Sequence, residues 1–166
     1  MACACSTSSS PTRSKADAAT VRVDFYQLAA GAHADSVIAA LAGRLLGEGQ
    51  RLLVVSAEES QLARLDRQLW DQGPTSFLPH GLAGVAEDVA QPVLLTSGTD
   101  APNGARNLLI ADGEWREAAL GYDRAFFLFD EERIEGARLA WKLLAGRDGV
   151  ERNYWAHEDG RWVRKA

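Results

Sequence analysis

Apolar residues recur along this chain with two periods, and each change of period marks a step from strand to helix or back. Arg22-Val-Asp-Phe-Tyr-Gln-Leu28 alternates in part and is rich in β-branched and aromatic residues, which predicts a first strand. Between Ala34 and Gly47, the residues Val37, Ile38, Leu41, Leu45 and Leu46 return at helical spacing, and Gly47 and Gly49 close the run. Arg51 to Val55 is a continuous apolar stretch of the kind found in a strand covered on both faces. Ser56-Ala-Glu-Glu59 reads as a capping box opening a second helix, which Leu62, Leu65 and Leu69 carry toward Gly73-Pro74. Four more short strands are predicted at Ser76–His80, Pro92–Thr96, Asn107–Ala111 and Arg124–Phe129. A third long helix is predicted over about 130–145, and a terminal hairpin turns at Asp159-Gly160.

Strands that alternate with helices predict one α/β domain over residues 21–166. It is Rossmann-like in plan: a mostly parallel sheet flanked by helices, ending in a C-terminal β-hairpin. Residues 1–20 are rich in Ser, Ala and Thr and lack the apolar stretch of a secretory signal, so a disordered N-terminal tail is expected. The two cysteines, Cys3 and Cys5, lie in that tail. Neither a disulfide framework nor a thiolate metal site is therefore expected in the folded part, and a reducing cytoplasm fits. No apolar run approaches the roughly 20 residues that a membrane span requires.

Helical wheels at about 100° per residue add detail. Leu62, Leu65 and Leu69 form one stripe, and Trp70 projects to its edge. Phe77, Pro79 and His80 follow soon afterwards, so ring-bearing residues gather near the end of that helix. On the third helix, Leu139 and Leu143 share an arc joined by Gly136 and Ala140, while Ile134 and Trp141 lie nearly opposite, flanked by Arg138 and Lys142. Only one arc can face the sheet. If it is the Leu139 arc, the Trp141 arc needs another partner; alternatively Ala137, Leu144 and the hairpin extend the core around to Trp141.

Charge and missing motifs narrow the chemistry. A net charge of −5 argues against holding nucleic acid over the whole surface, although residues 133–166 carry a local balance of +3 and could receive an acidic partner. Leu28-Ala-Ala-Gly-Ala-His33 has a single glycine after the first strand, so no dinucleotide-binding turn is available. Gly98-Thr-Asp-Ala-Pro-Asn-Gly104 is one residue too long for a phosphate loop and lacks its Lys-Ser/Thr pair, and it reads as a surface loop with turn chemistry. His33, His80 and His157 have no metal-ligand spacing, and no nucleophile motif is present. No catalytic residue, cofactor or metal is therefore expected. An aromatic pocket rimmed by Arg and Lys suits a peptide with an apolar end, a free carboxylate and acidic residues behind it.

Leu65-Asp-Arg-Gln-Leu-Trp70, followed by Ser76-Phe-Leu-Pro-His80 and Gly81-Leu-Ala-Gly84, resembles a block of the chi subunit family of bacterial DNA polymerase III. Val23-Asp-Phe-Tyr26, the Arg51 strand and Ala137-Arg-Leu-Ala-Trp-Lys142 fall in the same order. The resemblance implies a non-catalytic, cytoplasmic accessory subunit of the clamp-loader assembly, with no cofactor. Its partners would be the psi subunit and the acidic, Phe-terminated tail of single-stranded DNA-binding protein. The clamp loader and DNA would be reached indirectly, and a helicase is a further candidate. Carried over by position, the tail site would use Trp70, Phe77, Phe127, Arg138 and Trp141, with Lys142 as a charged neighbour. Trp70, Phe77 and Trp141 would form one cluster around the terminal Phe. Trp141 stands where many family members have Tyr, which keeps the stacking surface and loses a hydroxyl. Two other readings stand beside this one: a nucleotide- or small-molecule-binding enzyme domain without a standard phosphate loop, and a single-stranded DNA binder using the hairpin with Trp155 and Trp162.

Overall fold

The apolar runs become the strands of one sheet in the computed structural model, which describes residues 20–71 and 77–166. In chain order the elements are β1 (Val21–Gln27), α1 (Ala34–Gly47), β2 (Leu52–Val55), α2 (Glu59–Trp70), β3 (His80–Leu82), β4 (Val93–Thr96), β5 (Asn107–Ile110), β6 (Arg124–Phe129), α3 (Ile134–Ala145), β7 (Val150–Glu158) and β8 (Arg161–Arg164). The eight strands lie in the order β3-β4-β2-β5-β6-β1-β7-β8. Every neighbouring pair is parallel except the β7–β8 hairpin. The tail expected at 1–20 falls, apart from Thr20, outside the described residues. No helix among the described residues is long and apolar enough to cross a membrane.

Both faces of the sheet are covered, which is why β2 reads as an unbroken apolar run. Leu52 and Val54 enter one core with Leu62, Leu65 and Leu69 of α2 and Ile38, Ala42 and Leu45 of α1. Leu53 and Val55 enter the other core, on the α3 side. Direction of travel along the sheet sorts the helices. The crossovers β1–α1–β2 and β2–α2–β3 run one way and β6–α3–β7 runs the other, so right-handed connections place α3 on the opposite face from α1 and α2.

Four local expectations are corrected. The strand expected at Ser76–His80 begins only at His80, which pairs with Val93; Pro79 offers no N–H to a ladder, and Ser76 lies outside the described residues. The third helix starts at Ile134, because Asp130 bonds the Arg133 N–H with its side chain (3.1 Å) and makes a turn first. Ser56 is not a cap. It is fully buried, accepts from the Glu58 N–H (3.1 Å) and donates to Gln61 Oε1 (2.6 Å), while Gln61 Nε2 donates to the Ala111 carbonyl (3.0 Å). That relay ties the start of α2 to the ends of β2 and β5. The loop at 98–104 is not all surface: Asn103 is buried and its amide donates to the Gln91 carbonyl at 3.0 Å.

Of the two readings of α3, the structure takes the one in which Ala137, Leu144 and the hairpin carry the core around to Trp141. The sheet-facing side of the helix is Ala137, Ala140 and Leu144, with Ile134 and Trp141 partly buried beside them. Leu139 and Leu143 face outward, 69% and 53% exposed. The small residues at 137 and 140 let the helix approach the sheet closely, and the Trp141 ring closes the gap toward β7. The hairpin turn is as expected: Asp159 (φ 48°) and Gly160 (φ 77°) both take the left-handed conformation of a two-residue turn.

Candidate functional site

Open parallel sheets hold their ligands outside the carboxyl ends of the strands. At that place, beyond β1, β2, β5 and β6, lies a crevice of about 550 Å³. Its charged lining is Asp35, Glu58, Asp112, Asp130 and Glu132 against Arg64 and Arg133, and Arg64 is already paired with Asp35 at 2.9 Å. An excess of carboxylates repels phosphate where a nucleotide-binding fold would attract it. Among the described residues, no group of three or more His, Cys, Asp or Glu side chains could hold a metal ion.

Asp112 is the fixed point of this crevice. The Arg116 guanidinium grips it with two bonds (2.8 and 2.6 Å), and the Ala57 and Glu114 N–H groups donate to it at 2.8 and 3.1 Å. Burial alone pushes its carboxyl up, but the Arg116 bonds and the two backbone donors outweigh that and hold it below its ordinary 3.8. A depressed folded value gives stability that is complete above the unfolded pKa and lost as pH falls through the folded one. Asp112→Asn is therefore expected to lower the urea midpoint at pH 7, with the gap to wild type narrowing below about pH 4. A gap that stays constant down to pH 2 would contradict this account.

On the α3 face a second hollow, about 480 Å³, opens between the helix, the ends of β1 and β6, and β7. Ile134, Ala137, Phe129 and Trp141 give it an apolar wall, and Arg138, Lys142 and Lys165 line it with no carboxylate side chain among them. Trp141 is held rigidly. Its ring meets Phe25 edge-on at 5.1 Å and Tyr154 at 5.9 Å, and the Arg152 guanidinium lies 4.2 Å over it while donating to the Trp141 carbonyl. Arg138 pairs with Glu135 at 2.6 Å, whereas Lys142 makes no ion pair among the described residues. Burial pushes the Tyr154 hydroxyl up, and Arg138 only partly offsets this, so it is a neutral hydrogen-bonding group bound to Gln27.

Trp70 and Phe77 lie elsewhere, on the α1/α2 face of the sheet. They are 58% and 71% exposed, with ring centroids 5.7 Å apart. His80 anchors the pair from below, its ring 5.0 Å from Trp70 and its two nitrogens 2.6 and 3.1 Å from the Leu78 and Asp66 carbonyls. Beside them runs a groove of about 590 Å³ lined by Gly43 and Leu46 of α1 together with Phe77 and Pro79, and among the described residues no charged side chain contributes to it.

The expected single cluster is therefore two surfaces. Arg138, Trp141 and Lys142 come together; Trp70 and Phe77 come together; the sheet stands between them. Phe127 belongs to neither. It has no exposed surface and sits in the core among Phe25, Trp115 and Phe129. Sequence reasoning missed Gln27 at the end of β1, Tyr154 of β7 and Lys165 just past β8, which reach the α3 hollow from other elements. The α1 groove was missed too, though the small face of Ala39, Ala40 and Gly43 was a readable signal.

Comparison with known proteins adds a family. Residues 21–151 match the family described as DNA polymerase III chi subunit, HolC. The chain is 35% identical over 91 residues to the DNA polymerase III subunit chi of Pseudomonas aeruginosa, covering 54% of this chain and 62% of that protein. It is 30% identical over 77 residues to the subunit of the same name in Escherichia coli, covering 46% and 52%. With the Haemophilus influenzae subunit chi it shares 32% over 53 residues, covering 32% and 37%. The matched stretch thus spans less than two thirds of each relative.

Proposed function

Since the chain belongs to the family of DNA polymerase III chi subunits, we propose that it is a non-catalytic adaptor in DNA replication. It works in the cytoplasm and joins the clamp-loader assembly, through psi, to the acidic C-terminal tail of single-stranded DNA-binding protein. The observation that carries this reading is the α3 hollow, an apolar slot with three cations and no lining carboxylate side chain among the described residues. A tail ending in Phe places its ring against Ile134 and Trp141 and its carboxylates toward Arg138, Lys142 and Lys165. The acidic crevice at the strand ends supports a binding role over nucleotide chemistry.

Magnitudes set the division of labour. Burying one Phe contributes roughly 1.5–3 kcal/mol, whereas micromolar binding needs about 8 kcal/mol. Cations must therefore supply much of the affinity, and binding should weaken with salt. Calorimetric titration with a tail peptide is expected to show Arg138→Ala and Lys142→Ala each weakening binding about tenfold or more, the scale of one charge-assisted hydrogen bond. Lys142→Ala should do at least as much damage, because Arg138 divides its charge with Glu135. Wild-type affinity in both variants would remove the site from α3.

The uncharged groove beside Trp70 and Phe77 has the opposite character and suits an apolar helix held permanently. We assign psi to that side, which leaves the tail hollow free on the other face.

A further inference from the structure

We propose that the cleft between α1 and the C-terminal hairpin, with the row of arginines that continues from it, is a binding track for single-stranded nucleic acid. The cleft, about 340 Å³, is floored by Tyr26, Trp155 and Trp162 and rimmed by Arg22, Arg44 and Arg124. Tyr26 and Trp155 are stacked (6.1 Å, 10°), and Trp162 meets Tyr26 edge-on at 4.9 Å. Both indoles remain partly exposed. A second hollow, about 660 Å³, lies where β1, β5 and β6 begin; it shares Arg22 and Arg124 with the first and adds Arg51 and Arg106.

Charge across the two hollows is concentrated against the trend of the chain. Five arginines line them, with only Glu48 and Asp123 as lining carboxylates. Arg22 and Arg124 both lean on the one carboxylate of Asp24, buried behind them, at 3.2 and 2.6 Å. One anion for two cations leaves positive charge facing outward. Flat rings interleaved with guanidinium groups match a single strand, whose bases stack while its phosphates pair with arginine. An acidic peptide without an aromatic end would use the charges and leave the rings without a role, and a Phe-ended one is the competitor in the test below. A duplex would hide its bases. This track is separate from the α3 hollow, and it adjoins the Trp70 groove at Ala40 of α1 without sharing an arginine or ring with it.

The test uses the full chain and a fluorescein-labelled oligo-dT of about 15 nucleotides, followed by anisotropy and by quenching of Trp fluorescence. Saturable binding is expected in the range of about 1–100 µM at physiological salt. With about three phosphates neutralised, affinity should fall roughly twentyfold between 50 and 200 mM salt. Arg44→Glu, a change on an exposed helix face, is expected to weaken binding about tenfold or more. Trp162→Leu should lose most of the quenching. The proposal is overturned by no anisotropy change up to about 100 µM protein, or by wild-type binding in both variants. Equal affinity for a duplex of the same length, or displacement of the oligonucleotide by an acidic Phe-ended peptide, would also overturn it.

Discussion

Phe127→Ala is expected to lower the free energy of unfolding by about 3–5 kcal/mol, the range for removing a fully buried aromatic ring. The ring sits on β6 between Phe25 of β1 and Ile110 of β5, and it meets Phe25, Phe129 and Trp115 at 5.3, 5.6 and 5.7 Å. Phe25 and Phe129 are fixed by strand pairing, so the space left by the ring closes only in part. At roughly 2–4 °C per kcal/mol, the melting temperature should fall by about 10 °C. Phe77→Ala, at a ring 71% exposed, should change it little. Thermal and urea denaturation of the two variants separate core from surface. If Phe127→Ala kept its melting temperature and lost tail-peptide affinity, Phe127 would be a contact residue after all.

Asp24→Ala should cost a similar amount, about 3–5 kcal/mol, for a different reason. Asp24 is fully buried in the middle of β1. It accepts from Arg124 Nε at 2.7 Å, Arg22 Nε at 3.2 Å and the Trp155 indole N–H at 3.1 Å. Deleting the carboxylate leaves three donors without an acceptor, two of them charged. Arg22 is the more exposed of the two arginines and can turn toward water, which places the cost nearer the low end. Urea unfolding of Asp24→Ala, Arg124→Ala and the double variant should be non-additive, the double costing clearly less than the two singles together. Simple additivity would show that these groups do not act as one unit.

Much of the architecture was legible because its signals are local. The unbroken run at Leu52–Val55 announced a strand with a core on each side, the leucine stripe of α2 announced its buried face, and Asp159-Gly160 announced the hairpin. The burial of Phe127 was legible too, against its placement in the tail site. Ala125-Phe-Phe-Leu-Phe129 is as continuous as the β2 run, and in a strand covered on both faces no residue in the middle is free to meet a partner. Two other points were not readable. A helical wheel shows that α3 has two apolar arcs but not which of them faces the sheet, and the answer depended on small side chains at 137 and 140 and on a Tyr154 contributed by a later strand. The grouping of Trp70 with Trp141 failed because it depends on strand order. Only the order β3-β4-β2-β5-β6-β1-β7-β8 reveals that α2 and α3 are reached by opposite directions of travel.

The sheet that divides the two proposed docking faces has a thermodynamic consequence. Side chains on the α3 hollow and on the Trp70 groove belong to different cores, with a layer of hydrogen-bonded strands between them. Neither occupant touches the other or shares a bistable element with it, so their coupling free energy should lie near zero. Flooding the system with one partner never releases the other. With both proposed faces occupied, the chain would act as a bivalent coupler, in which holding one ligand raises the effective concentration of whatever the second ligand carries.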